Sequence, residues 1–237
     1  MPPSHHFSDE ERRGVYRAIY ERRDVRSQFL PDPVPDEVLG RILEAAHHAP
    51  SVGFMQPWDF LVIRDASMRQ AIYRNFECAS RQAAEAYHGE QRKLYDSLKL
   101  AGILDAPVNL CVTCDPERPK GSGLGRRTDP AVALYSTACA VQNLWLAARA
   151  ESLGVGWVSI LDFEPLKAAL GIPPALTLVA YLCVGYVSEF RPQPELEEKG
   201  WETRSNLASV VHFGRWGFHE AERRDGPPPE EKKAAEE

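Results

Sequence analysis

Apolar residues along the chain recur with two periods, and the alternation between them predicts the order of elements. Ser8 and Glu11 form a capping box, and the SDEERRGVYRAIYERR that it opens carries Val15 and Ile19 at helical spacing, so the first helix should end near Arg22–Arg26. Pro35 stands where a second helix can begin, with Val38, Leu39, Ile42, Leu43 and Ala46 on one stripe. DFLVIR predicts a short buried strand, and a polar helix follows from about Ala66 to Tyr87. EQRKLYDSLKLAGILDAP is irregular and leads to the strand VNLCVTCD, after which PERPKGSGLGRRTDP must be a loop. From Ala131 to Ala150 the pattern is apolar nearly all the way round, which predicts a core helix buried on several sides. Gly154 and Gly156 bracket a turn into the strand WVSI, FEPLKAAL is a short helix ending at Gly171, and LTLVAYLCVGYV is the longest strand candidate. The last helical piece is ambiguous.

Helices and strands in mixed order around a buried helix predict an α+β sandwich. A doubly wound nucleotide fold is disfavoured, because no Gly-x-Gly-x-x-Gly lies between a first strand and a helix. There is no internal repeat. The expected organisation is a flexible N-terminus at 1–7, one domain over 8–218, and an acidic tail at 219–237. That tail has three consecutive prolines and almost nothing to bury, so it is expected to be disordered.

Composition narrows the partners. The 237 residues are 43% hydrophobic, enough for one sizeable core and too few to favour two full domains. A formal net charge of −6 argues against nucleic acid or an anionic membrane as the main partner, since both need a basic field. No run of eighteen apolar residues exists, and MPPSHHFSDEERR lacks the basic-then-apolar order of a signal peptide, so a cytoplasmic location is expected. Cys111 and Cys114 form a CVTC, but on a strand their side chains point to opposite faces. They read as buried, reduced thiols.

Three clusters of residues carry candidate chemistry. In ERRDVR, Arg22, Arg23 and Arg26 either compensate a helix C-terminus or form a phosphate clamp, for which guanidinium groups are well suited. Asp24 among them must pair with an arginine or face something else. In HAPSVGFMQPW, Phe54, Met55 and Trp58 either bury in a plain connector or serve a planar ligand; in the second case Ser51 and Gly53 admit close backbone approach and Gln56 supplies an amide. In GVGWVSI, Ser159 lies opposite Val158 and Ile160. His47 and His48 are adjacent, about 100° apart on a helix, and cannot chelate one metal together. No other Cys, His or carboxylate group has ligand spacing, so no metal is expected. No Gly-x-Ser-x-Gly elbow is present.

Together, RRDVR, AAHHAPSVGFMQPWDF and YSTACAVQNLWLAARAESLGVGWVSI resemble the nitroreductase-like flavoproteins, and more closely the BluB-type 5,6-dimethylbenzimidazole synthases. The resemblance runs from about Ser8 to Val211. General nitroreductases usually carry a serine or similar residue where Asp24 stands. The resemblance implies a sandwich with a central mixed or antiparallel sheet flanked by helices, in an intertwined homodimer with two FMN sites at the subunit interface. It implies that Arg22, Arg23, Asp24, Val25, Arg26, Pro50, Ser51, Gly53, Gln56, Ser159 and Arg204 bind the flavin, with Arg204 of GWETRSNL completing the phosphate clamp. YDSLKLAGILDAP corresponds to a lid over the flavin, and Ala101 stands there where an acidic residue is expected.

The implied reaction consumes reduced FMN and molecular oxygen and yields 5,6-dimethylbenzimidazole, the lower ligand of cobalamin, and erythrose 4-phosphate. FMN is then a substrate, and NAD(P)H enters indirectly through a separate flavin reductase. Asp24 is the candidate for moving protons at the ribityl carbon, and Ser159 for hydrogen bonding at the ring. Two other readings stay open: an NAD(P)H-dependent nitro- or quinone reductase that retains FMN, and a non-catalytic flavin-binding protein.

Overall fold

A computed structural model of the chain describes residues 5–219, so most of the expected acidic tail lies outside the described residues. The chain divides into two compact units, Met1–Glu195 and Leu196–Glu237. In the first, α1 (Asp9–Glu21) and α2 (Asp36–His47) precede β1 (Trp58–Ile63). Then come α3 (Ala66–Ala84), α4 (Gly89–Ser97), β2 (Val108–Cys114) and α5 (Val132–Ala150). β3 (Leu153–Trp157), α6 (Phe163–Ala169) and β4 (Thr177–Tyr186) complete the sequence.

The four strands form one antiparallel sheet in the order β1-β2-β4-β3. Its two central strands are the most apolar: β2 is buried at every position. One face carries Val108, Leu110, Val112, Ala180, Leu182 and Val184, which pack with Ile42 and Ala46 of α2 and Val141, Leu144 and Ala148 of α5. The other carries Cys111, Leu178, Tyr181 and Cys183, packed with Ile72 of α3 and Leu166 of α6. Leu178 shares a face with Tyr181 because the register shifts between Val112 and Thr113, and a bulge moves later side chains to the opposite side. This is the α+β architecture that the alternating periods predict.

Capping is written locally. The Ser8 hydroxyl accepts from the Glu11 N–H at 3.2 Å while the Glu11 carboxylate accepts from the Ser8 N–H at 2.7 Å, so α1 starts at the capping box. The helix stops at Glu21, because Arg22 has turned to an extended conformation with ψ 147°.

Several expectations change in the folded chain. β1 is an edge strand rather than a fully buried one: Leu61 and Val62 are 38% and 39% exposed. α3 ends at Ala84, not near Tyr87. Gly154 and Gly156 lie within β3, not around a turn before it, and Ser159 falls past the strand's end. α5 buries Ala133, Thr137, Ala140, Val141, Leu144 and Ala148, but Leu134, Tyr135, Ala138, Cys139 and Gln142 form an exposed stripe. α1 buries no side chain, leaving Val15, Tyr16, Ile19 and Tyr20 exposed.

All five cysteines are free thiols. Cys111 sits in the α3 and α6 face, whereas Cys114 packs with Met55 and Ala133 on the other side, as strand alternation requires. Burial pushes the Cys111 thiol up to about 12 and raises Cys183 as well. Both are therefore protonated, apolar fillers.

The two glycines of β3 answer to a backbone neighbour. Residues 24–25 run parallel to β3: Asp24 bridges Val155, and the Val25 N–H donates to the Val155 carbonyl at 3.0 Å. A Cβ on Gly156 would lie 2.0 Å from the Val25 carbonyl oxygen, and one on Gly154 would lie 2.4 Å from Val187 Cγ1. Only glycine leaves room for the third strand-like segment at this edge.

The short helix α7 (Glu195–Glu198) starts at the last residue of the first unit, and the second, as far as it is described, contains the rest of it and a 3-10 turn at Leu207–Val210 capped by the Asn206 side chain. Arg204 belongs to it and is exposed.

Gly156→Ala should lower stability by about 1–3 kcal/mol or more, because the added methyl meets backbone that cannot rotate away. Gly40→Ala is the matched control, since a Cβ there meets nothing within 4 Å and mid-helix alanine gains about 0.5–1 kcal/mol. Urea denaturation of both variants should give shifts of opposite sign.

Candidate functional site

The ERRDVR segment leaves α1 and folds onto β3, and Asp24 is the pin. Its Oδ1 accepts from the Trp157 N–H at 2.9 Å, and its Oδ2 accepts from the Arg26 guanidinium at 2.7 Å. Each carboxylate oxygen retains a second lone pair for a further donor. The Asp24 side chain is 31% exposed and that of Arg26 only 12%, so the ion pair is partly shielded from water. This resolves the carboxylate among arginines: it faces β3 and pairs with Arg26.

The arginines do different work. Arg26 Nε is buried without a hydrogen-bond partner, which leaves a donor suited to an anionic oxygen. Arg22 lies over the Trp145 ring at 5.0 Å, an arrangement worth about 0.5–2 kcal/mol. Arg23 donates to the carbonyls of Tyr20, Arg22 and Pro192, so much of its capacity anchors the segment itself. Val25 is buried at 2% exposure against the β3 glycines, and its side chain is spent on packing. Trp145 joins these parts: its indole N–H donates to the Arg23 carbonyl at 3.2 Å and its ring lies 6.4 Å from that of Trp157.

Ser159 follows β3 by two residues beyond the N–H that holds Asp24, about 6–7 Å along extended chain. It is exposed. The structure thus brings Arg22, Asp24, Arg26 and Ser159 to one edge of the sheet.

The proline-bracketed loop is a separate construction. Pro50 is exposed just past α2, and the Ser51 hydroxyl accepts from the Gln56 N–H at 3.0 Å, closing the loop on itself. Gly53, Phe54 and Gln56 all have left-handed backbone, with φ of 53°, 54° and 48°. Held in such conformations, the two non-glycine residues each cost about 1–3 kcal/mol, a strain that surrounding contacts must offset. Ser136 of α5 accepts from the Val52 N–H at 3.1 Å, and Arg118 donates to the carbonyls of Gln56 and Trp58. Both proposed fates for the apolar residues occur here: Met55 and Trp58 are buried at 2% and 3%, while Phe54 is 70% exposed. His47 Nδ1 accepts from the Trp58 indole N–H at 3.1 Å and His48 bonds back to Glu44, so the two histidines serve separate local partners.

The segment expected to be a lid is packed in this state. Ala101 and Ile103 are buried at 6% and 0%, so an acidic group at Ala101 would be enclosed among apolar neighbours. Lys99 pairs with Asp105 at 2.6 Å across the bend. A cavity of about 540 Å³ opens between this segment, α3 and α4, with Tyr73, Phe76, Tyr95 and Ala101 among its walls.

Arg118, Ser136 and Trp145 were not singled out by the sequence. Arg118 lies in a loop of several basic residues, and Ser136 and Trp145 lie inside the core-helix pattern, where their polar atoms give no separate signal. Arg204 belongs to the second unit and is described only there.

The nitroreductase family model matches residues 19–186. A 5,6-dimethylbenzimidazole synthase of Rhodospirillum rubrum is 43% identical over 84% of this chain and 93% of its own length. One from Rhodobacter capsulatus is 41% identical over 83% of this chain and 94% of its own. Among solved structures, a BluB-like flavoprotein of Clostridium difficile superimposes with a TM-score of 0.65 at 19% identity, covering 85% of this chain and 99% of that one. A nitroreductase described as in complex with FMN, from Desulfovibrio desulfuricans, gives 0.56 at 26% identity, covering 83% and 94%. With more than half of the chain matched by the family model and such relatives covered almost whole, the chain belongs to the nitroreductase family, beside members named as 5,6-dimethylbenzimidazole synthases.

Proposed function

We propose that the chain fragments reduced FMN with molecular oxygen to 5,6-dimethylbenzimidazole and erythrose 4-phosphate, as an oxidoreductase of the kind its relatives are named for. The observation that carries this reading is the Asp24 carboxylate, fixed at the sheet edge between the Trp157 N–H and Arg26. A retained-flavin reductase has no evident need for a carboxylate there.

The residues present suit a flavin mononucleotide. Arg22 and Arg26 would hold its phosphate and adjoining oxygens, the orphaned Arg26 Nε gaining an acceptor, with Arg23 supporting the segment and Arg204 as a further proposed contact. Reduced flavin supplies the electrons that oxygen takes up, and a separate flavin reductase fed by NAD(P)H would provide it. Asp24 would accept a proton at the ribityl carbon next to the ring, where its second lone pairs are free. Ser159 would hydrogen bond at the ring. Ser51, Gly53 and Gln56, with the exposed Phe54, would meet a ring edge and face.

A homodimer fits the same geometry. The loop meets α5 at Ser136 and the clamp meets it at Trp145, about 13 Å apart along the helix axis. The same helix carries the exposed stripe of Leu134, Tyr135, Ala138, Cys139 and Gln142, and α1 leaves a second apolar face uncovered. Pairing two chains through these faces would let the clamp of one meet the loop of the other.

Arg26→Ala should weaken FMN binding roughly ten- to a hundredfold, the effect of one lost charged hydrogen bond. Riboflavin, which lacks the phosphate, should bind poorly in the same fluorescence titration; equal affinities for the two would remove the clamp. Asp24→Asn keeps an oxygen for the Trp157 N–H and removes the base, so FMN should still bind while product falls about 10²–10⁴-fold. Chromatography after supplying FMN, NADH and a flavin reductase reads this directly: FMN returned whole by the unaltered protein points to the retained-flavin reductase instead. Native thiol titration checks the dimer, because Cys78 and Cys139 are the exposed cysteines of a single chain. Pairing through α5 should shield Cys139 and leave one fast thiol per chain, alongside a dimeric mass by light scattering.

A further inference from the structure

The loop between β2 and α5 holds a second concentration of positive charge that the clamp does not use. Arg118, Lys120, Arg126 and Arg127 line a cleft of about 350 Å³ together with Pro119 and the Gly121–Ser122–Gly123 turn. Arg118 is neutralised by Asp59 and Asp115. The other three form no ion pair among the described residues. Lys120 donates to Gln56 Oε1 and sits over the Phe54 ring at 4.8 Å. Arg126 donates to the Pro116 carbonyl at 2.7 Å. Neutral partners hold these cations in place and leave their charge uncompensated. No carboxylate lines the cleft; Asp59 and Asp115 reach only its Arg118, Asp115 also accepts from the Glu117 N–H, and Asp129 accepts from the Ala131 N–H.

The backbone there is shaped for the same purpose. Gly121, Ser122 and Gly123 are all left-handed, with φ of 74°, 50° and 72°, in a turn closed by the Leu124 N–H on the Gly121 carbonyl, and the N–H groups of a turn can meet an anion. The turn is fixed by contact with the proline-bracketed loop: a Cβ on Gly121 would lie 2.2 Å from the Gly53 carbonyl oxygen. In a chain of net charge −6, three unneutralised cations around a glycine turn mark a site for a compact dianion.

We propose that this cleft is a second phosphate site, and that it receives a short sugar phosphate. Its lining contains no aromatic ring and no long apolar side chain, so it offers an isoalloxazine no apolar slot to bury in. The four-carbon sugar phosphate released by the proposed reaction fits these terms, and that choice of ligand rests on the fragmentation reading; the phosphate site itself does not. Through Lys120 and Gln56, an occupant would touch the loop assigned to the flavin ring.

The test follows the amide signals of Gly121, Ser122 and Gly123 by nuclear magnetic resonance on the full, flavin-free chain during titration with inorganic phosphate. Chloride at matched ionic strength is the control. Specific shifts should appear with phosphate, survive in Arg26→Ala, and need about tenfold or more phosphate in Arg127→Gln, whose exposed side chain holds no other residue in place. Equal shifts with chloride overturn the site, and so does phosphate binding lost in Arg26→Ala but unchanged in Arg127→Gln, which leaves the clamp standing. Binding kept in Arg26→Ala and lost in Arg127→Gln supports the site whatever becomes of the clamp. Erythrose 4-phosphate should then outcompete inorganic phosphate at these amides. Tighter displacement by FMN would overturn the product assignment and make the cleft a substrate contact.

Discussion

The close passage of the Asp24–Val25 backbone against Gly156 is the constraint on which the candidate site depends. Where any side chain would place a carbon 2.0 Å from the Val25 carbonyl, glycine lets residues 24–25 add a parallel bridge beside β3. That bridge sets the position of the Asp24 carboxylate under the Trp157 N–H, and the carboxylate in turn orients Arg26. Packing and chemistry are therefore one arrangement at this edge. Val25 fills the space that Gly154 leaves, and the residues on either side of it, Asp24 and Arg26, pair with each other.

Strain gathers in two loops at the opposite end of α5. Of the left-handed non-glycine residues described, Phe54, Gln56 and Ser122 lie in these loops and only Ser152 lies at the other end, and Gly53 and Gly121 press their backbones together. Side chains that could otherwise relax these loops are tied down, Gln56 by Lys120 and Met55 by burial. Such conformations persist only where surrounding contacts over-determine them, and they cluster where a ligand must be met in a fixed geometry. The paired loops thus present Phe54 and the basic residues from one frame held by these contacts.

α5 spans these two regions and divides its own surface. Its buried side mixes small residues, Ala133, Ala140 and Ala148 among them, with Val141, Leu144 and Trp145. Trp145 and Ser136 on the same helix supply a polar contact each to the clamp segment and to the strained loop. The remaining side is apolar yet exposed. A helix that reads as apolar all round but is buried on one side has surface suited to another chain, which is why periodicity alone overestimates its burial within one subunit.

The sequence by itself determined the elements and their sidedness. Capping at Ser8 and Glu11, the Leu39, Ile42 and Ala46 stripe, and the apolar runs of β2 and β4 are local patterns, and local spacing dictates which side chains share a face. The resemblance grouped RRDVR, GFMQPW and GWVSI in one flavin site; within the chain RRDVR meets β3 at the Trp157 N–H, while GFMQPW lies about 13 Å away along α5. Tertiary structure alone decided that Asp24 faces β3, that Val25 is core, that Arg23 is largely spent on carbonyls, and that the basic loop caps the proline-bracketed one. It also placed Gly154 and Gly156 inside a strand rather than around a turn. The physical reason is common to all of these: a glycine or an arginine in sequence states what it permits, while the partner that uses the permission arrives from a distant part of the chain.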